Sequence, residues 1–122
     1  MFSGTWINER GGGMVLEQHG EEISGRYITT IGDAAVVGRG HRIVGTANGP
    51  TIGLVVAWPA AGSLTSWAGR LEVAADGGAT LHTLWHLVRT YSAADPAKAT
   101  EIWESFLTNS SVFRRTSTAT QG

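Results

Sequence analysis

Between Gly53 and Leu87 the chain reads GLVVAWPAAGSLTSWAGRLEVAADGGATLHTLWHL, which holds three of its five tryptophans. Trp58, Trp67 and Trp85 each lie in a short apolar run, and each run ends in Gly, Pro, Asp or Ser. A chain written this way has to turn repeatedly. Read as strands, Leu54, Val56 and Trp58 share one face. So do Thr65, Trp67, Gly69 and Leu71, and so do Leu81, Thr83, Trp85 and Leu87. Ser66, Arg70 and Glu72 then fall on the opposite face, the period-2 alternation of a half-buried antiparallel strand. So many large rings on inward faces make either an aromatic core or an aromatic-lined pocket.

The remainder of the chain repeats this rhythm. Strands are expected at Ser3 to Asn8, Met14 to Gln18, Ile23 to Thr30 and His41 to Ala47, the last closed by the turn Asn48-Gly49-Pro50. Thr51 to Trp58, Thr65 to Val73, Thr80 to Thr90 and Glu101 to Thr116 complete the set. Ile31 to Gly40 reads as a small-residue loop, and Ser92 to Thr100 as an interruption with room for a helical turn. Hairpin-short connections favour an all-β fold, an eight-stranded antiparallel up-and-down β-barrel, over a sandwich, because closure also removes the edge strands. The expected organisation is one domain over residues 1–116 and a flexible tail over 117–122.

Composition narrows the function. A net charge of −1 with 16% charged residues gives no electrostatic footprint for nucleic acid or an anionic membrane. No run approaches the roughly 20 apolar residues of a spanning helix. Cysteine is absent, so disulfides and thiolate metal sites are excluded. The first residues, MFSGTW, are already strand-like: either the chain is made without a signal peptide, or one has been removed and the protein is expected to be secreted or periplasmic.

The motifs that suggest chemistry weaken on inspection. His82 and His86 have the spacing of a zinc-protease helix, but Thr83 stands where the catalytic Glu belongs and the segment reads as strand. The Gly38 to Gly45 run lacks the order of a phosphate-binding loop and no helix follows it. No nucleophile elbow and no inward carboxylate pair is present, so the chain reads as a non-enzyme with no metal and no cofactor. A divergent hydrolase or a lipid carrier on a similar barrel is disfavoured on the same grounds. What the inward faces do carry is rings beside short neutral polar groups: Asn8, Tyr27, Thr29, Ser63, Thr65 and Ser111 with Trp58, Trp67 and Trp85. Unpaired, such groups cost about 1–3 kcal/mol each to bury. A ligand with several donors and acceptors would pair them.

GTWIN (4–8), SGRY (24–27), GLVVAW (53–58), the T-x-W-x-G of Thr65 to Gly69, LHTLWHL (81–87) and the segment from Trp103 to Phe113 resemble the avidin/streptavidin family in order and spacing. Streptavidin is itself a standard example of the small closed barrel. The resemblance implies a tetrameric eight-stranded barrel that binds biotin at one open end, as a ligand and without chemistry. Asn8 and Tyr27 then look like donors to the ureido oxygen, and Thr29 like an acceptor from one ureido N–H. Thr65 looks like the partner of the ring sulfur, and Trp58, Trp67, Trp85 and Leu87 like the apolar box. Ser63 and the loop residues Ile31, Asp33 and Ala34 look like the contacts at the ligand's tail, with backbone N–H groups at Asp33-Ala34 meeting its carboxylate. Trp103 matches the tryptophan lent across a subunit interface, which favours a homotetramer.

The polar end departs from the family pattern. Gly12 aligns with a serine that would be the third donor to the ureido oxygen, and serine returned there is expected to tighten binding. Ser111 aligns with an acidic or amide residue and, as a hydroxyl, accepts less strongly from the other ureido N–H. Arg10 replaces an apolar residue near the pocket mouth, Asp33 adds a negative charge near the ligand's carboxylate, and the loop between Trp85 and Trp103 is long. Two readings stay open: biotin binding, or the same barrel tuned to a different small cyclic ligand.

Overall fold

Each alternating run becomes a strand, and the turn residues fall between them. The computed structural model describes residues 1–29, 40–59, 62–91 and 98–118. Strands β1 (Gly4–Asn8), β2 (Gly12–His19), β3 (Glu22–Thr29), β4 (Gly40–Asn48), β5 (Thr51–Trp58), β6 (Ser63–Val73), β7 (Ala79–Arg89) and β8 (Phe106–Ser117) pair in sequence order into a closed barrel. Every pairing is antiparallel, and β8 returns to β1 with Trp6 opposite Arg115 and Asn8 opposite Phe113.

The eighth run begins later than its composition suggests. Glu101 to Thr116 does not form one strand: Ile102–Glu104 is a 3₁₀ turn, and β8 starts only at Phe106. The backbone N–H of Glu101 donates to Glu104 Oε1 at 2.8 Å, and Ser105 Oγ donates back to the Glu101 carbonyl at 2.8 Å. These local bonds give the backbone an alternative to the ladder. This 3₁₀ turn lies past Ser92 to Thr100, and residues 92–97 of that expected interruption fall outside the described residues.

Alternation sends one face of every strand inward, and at one end of the barrel these side chains fill the interior. Phe2, Trp6, Leu16, Ile43, Leu54, Val56, Leu81 and Phe113 are buried together. The buried indole of Trp6 keeps its N–H paired, donating to the Phe2 carbonyl at 2.9 Å, and the Arg115 guanidinium sits 5.0 Å from the ring centroid. Close packing also explains Gly45. A Cβ there would press into the Gly53 carbonyl and stand 2.8 Å from Leu54 Cδ2, so the β4–β5 approach admits only hydrogen.

This filled end is the structural floor of the barrel. Phe113→Ala is expected to lower stability by about 3–5 kcal/mol, measured by denaturant unfolding. A loss under about 1 kcal/mol would mean that this layer is not closed.

Candidate ligand-binding site

The inward faces continue up the strands, but at the other end they do not fill the barrel. Asn8, Tyr27, Trp58, Ser63, Trp85 and Leu87 point inward by their register yet remain half-buried, whereas inward residues of the floor are sealed. These residues line the less sealed end of the barrel, its cup.

Asn8, at the end of β1, fixes the polar wall. Its Oδ1 accepts from the backbone N–H groups of Arg10 at 3.0 Å and Gly12 at 2.8 Å, which pins the β1–β2 hairpin. With the oxygen so occupied, the amide must turn its NH₂ the other way, and Nδ2 lies 3.5 Å from the Tyr27 hydroxyl. Two donors thus converge on one corner of the cup.

The aromatic wall is built across β3, β5, β6 and β7. Tyr27 stacks on Trp67 with centroids 5.3 Å apart and planes at 26°, and meets Trp58 edge-on at 5.7 Å. Trp58 Nε1 donates to Thr65 Oγ1 at 2.9 Å. Trp67 and Trp85 are cross-strand partners on β6 and β7, as are Thr65 and Leu87 and, at the rim, Ser63 and Arg89. The indoles do not collapse on one another: the ring contacts among the described residues run through Tyr27 and His41.

Ser111 closes the polar end from β8. It is only 3% exposed, pairs in register with Thr83, and its carbonyl accepts from Thr83 Oγ1 at 2.8 Å. Its own hydroxyl accepts from the Arg10 guanidinium at 3.5 Å, and Arg10 Cζ stands 5.9 Å from the Trp85 ring centroid.

Of the residues singled out in the sequence, Asn8, Gly12, Tyr27, Trp58, Thr65, Trp67, Trp85, Leu87, Ser63 and Ser111 are brought to this end of the barrel. Thr29 ends β3 opposite Gly12. Its side chain, like Ile31, Asp33 and Ala34, lies outside the described residues. Trp103 stands apart on the 3₁₀ turn, 81% exposed. His82 and His86 face outward, toward Glu72 and Thr108 respectively.

Position 12 is closely bounded. Serine at position 12 would not simply regain a donor, because its Cβ would fall deep inside contact with the Tyr27 hydroxyl and 3.0 Å from Asn8 Nδ2. The space that a serine would need is held by Tyr27, so Gly12→Ser is expected to displace the tyrosine and weaken the site. His41 was missed: it faces inward beside Trp58 at 4.7 Å, and its buried Nε2 has no hydrogen-bond partner among the described residues. Its even spacing from Ile43 along β4 carries that signal.

The model of the avidin family matches residues 1–116. This chain belongs to the avidin family. The short form of afifavidin, in its apo crystal structure, is similar at 29% identity over 94% of this chain and 96% of that one, with a TM-score of 0.75. Short afifavidin in complex with biotin is similar at 28% identity, over 94% of this chain and 89% of that one, again at 0.75. The rhizavidin–biotin complex shares the fold at 20% identity, 93% and 98% coverage and a TM-score of 0.73. Comparison with curated proteins gives no match. The closed eight-stranded barrel is thus an avidin-family barrel.

Tyr27 carries an electrostatic mark of this setting. Burial pushes its hydroxyl above the ordinary tyrosine range, with Glu9 adding to the rise while the Asn8 bond and Arg10 oppose it. The folded state therefore holds its proton longer than the unfolded chain does. Its contribution to stability is full below about pH 10 and is lost as pH rises through the folded value. Ultraviolet titration of the two tyrosines is expected to show a late step that Tyr27→Phe removes. A late step that persists in the variant would mean that Tyr27 does not carry it.

Proposed function

We propose that this chain binds biotin, without catalysis, in the open end of its barrel. The observation that carries the reading is the Asn8–Tyr27 corner. An amide whose oxygen is already doubly engaged and a phenol hydroxyl 3.5 Å away together offer donors to one carbonyl-type oxygen. Donors fixed in advance draw charge onto such an oxygen and strengthen the neighbouring N–H groups of a cyclic urea. Trp58, Trp67 and Trp85 supply flat apolar walls for a fused ring, and Thr65, which accepts from Trp58, keeps its own proton to donate. Membership of the avidin family and the likeness to short afifavidin, solved with biotin, support the same ligand.

A homotetramer is the second part of the proposal. Ile102, Trp103 and Phe106 form an apolar group on the outside of the barrel, and a groove of about 730 Å³ runs along the outer face past Arg70, His82, Leu84 and Val112. Surfaces of this kind are covered more often than they are left wet. Trp103 would then complete a neighbour's cup.

Biotin at about 1,000 times its dissociation constant is expected to add about 4 kcal/mol of stability, seen as a raised melting temperature. No shift with excess biotin would remove the first reading and leave a different cyclic ligand. Trp103→Lys is expected to weaken biotin binding and reduce the oligomer in native mass spectrometry. If affinity and assembly both stay unchanged, Trp103 has no part across an interface.

A further inference from the structure

We propose that Arg10 is a built-in competitor for the ligand, a specificity-determining residue whose guanidinium occupies the acceptor and the ring face that the N–H edge of a cyclic urea would use. This rests on the biotin reading. The backbone around Arg10 is fixed, because Asn8 Oδ1 holds the N–H groups of both Arg10 and Gly12. From that fixed base the side chain reaches across the polar end of the cup. It donates to Ser111 Oγ at 3.5 Å and lies over Trp85 at 5.9 Å. Glu9 steadies it: one carboxylate oxygen stands 3.9 Å from Arg10 Nε, and the other accepts from the backbone N–H of Val112, tying the pair to β8.

A guanidinium and a cyclic urea are alike in what they offer. Both are planar, both present an N–H edge to an acceptor, and both lay a flat face on an indole. They differ at the third corner, where the urea has an oxygen and the guanidinium another N–H. At the Asn8–Tyr27 corner the amide NH₂ donates to the Tyr27 hydroxyl, whose own proton is left for a ligand oxygen, so the corner suits the urea better than the further N–H of Arg10. Arg10 fills only the Ser111–Trp85 half of the site and leaves the oxygen-binding half free. Ser111 is almost fully enclosed, so a ligand N–H that takes its oxygen does so at the expense of Arg10. The arm is weakly held, since its side chain is 42% exposed and its bond to Ser111 is long. It yields to a ligand that also fills the oxygen corner and resists one that does not.

Isothermal titration with biotin of the wild-type protein, Arg10→Leu and Arg10→Gln tests this. The expected result is binding about tenfold tighter in both variants, a change of about 1.4 kcal/mol. Loss of a merely structural contact would act in the opposite direction. Biotin binding by the variants and not by the wild type would also support competition. Unchanged or weaker binding in the variants, with biotin bound by the wild type, would overturn the role of Arg10 and leave the biotin reading standing. No binding by any of the three would overturn both.

Discussion

Return of β8 to β1 is the constraint on which the rest of this molecule depends. Pairing of Ile7 with Arg114 and of Asn8 with Phe113 across that seam turns a row of hairpins into a surface with an inside. Without it the inward faces of β1 and β8 would belong to edge strands, and Trp6, Phe113 and Ser111 would lie at a border instead of an interior. Closure also creates two ends that the chain treats differently. Large aliphatic and aromatic groups fill one, and smaller polar groups spaced among indoles keep the other open.

Most of this organisation was legible in the sequence because a strand has a fixed period. Once Trp67 is placed inward, Thr65 and Ser63 must follow it to the same face, and the register with Trp85, Leu87 and Arg89 agrees. The same logic put His82 and His86 outside. What the period cannot reveal is how far a side chain travels once it leaves the backbone. Gly12 shows this: its alignment suggests a missing donor, whereas the space above it is taken by Tyr27 from a different strand. Arg10 lies in a hairpin turn, where alternation says nothing about direction. Local capping at Glu101 and Ser105 likewise cut the eighth run in a way that its apolar pattern does not display.

The polar end is economical in its use of hydrogen-bond capacity. Asn8 uses its acceptor on the hairpin and turns its NH₂ toward the Tyr27 hydroxyl and the cup. Thr83 spends its donor on the Ser111 carbonyl and so holds β8 against β7 near the site. Folding and recognition thus draw on opposite ends of the same side chains, which ties the shape of the cup to the integrity of its walls.

The bond from the Trp58 indole nitrogen to Thr65 has a consequence for selectivity. That nitrogen is the sole polar atom of its side chain, and it is committed within the wall. Trp58 can address a guest only through its ring faces and C–H edges, which respond to shape and flatness and hardly at all to the pattern of heteroatoms. Discrimination between chemically distinct guests of one outline would have to come from the polar side chains, Asn8, Tyr27, Thr65, Arg10 and Ser111. One half of the vessel measures size; the other reads polarity.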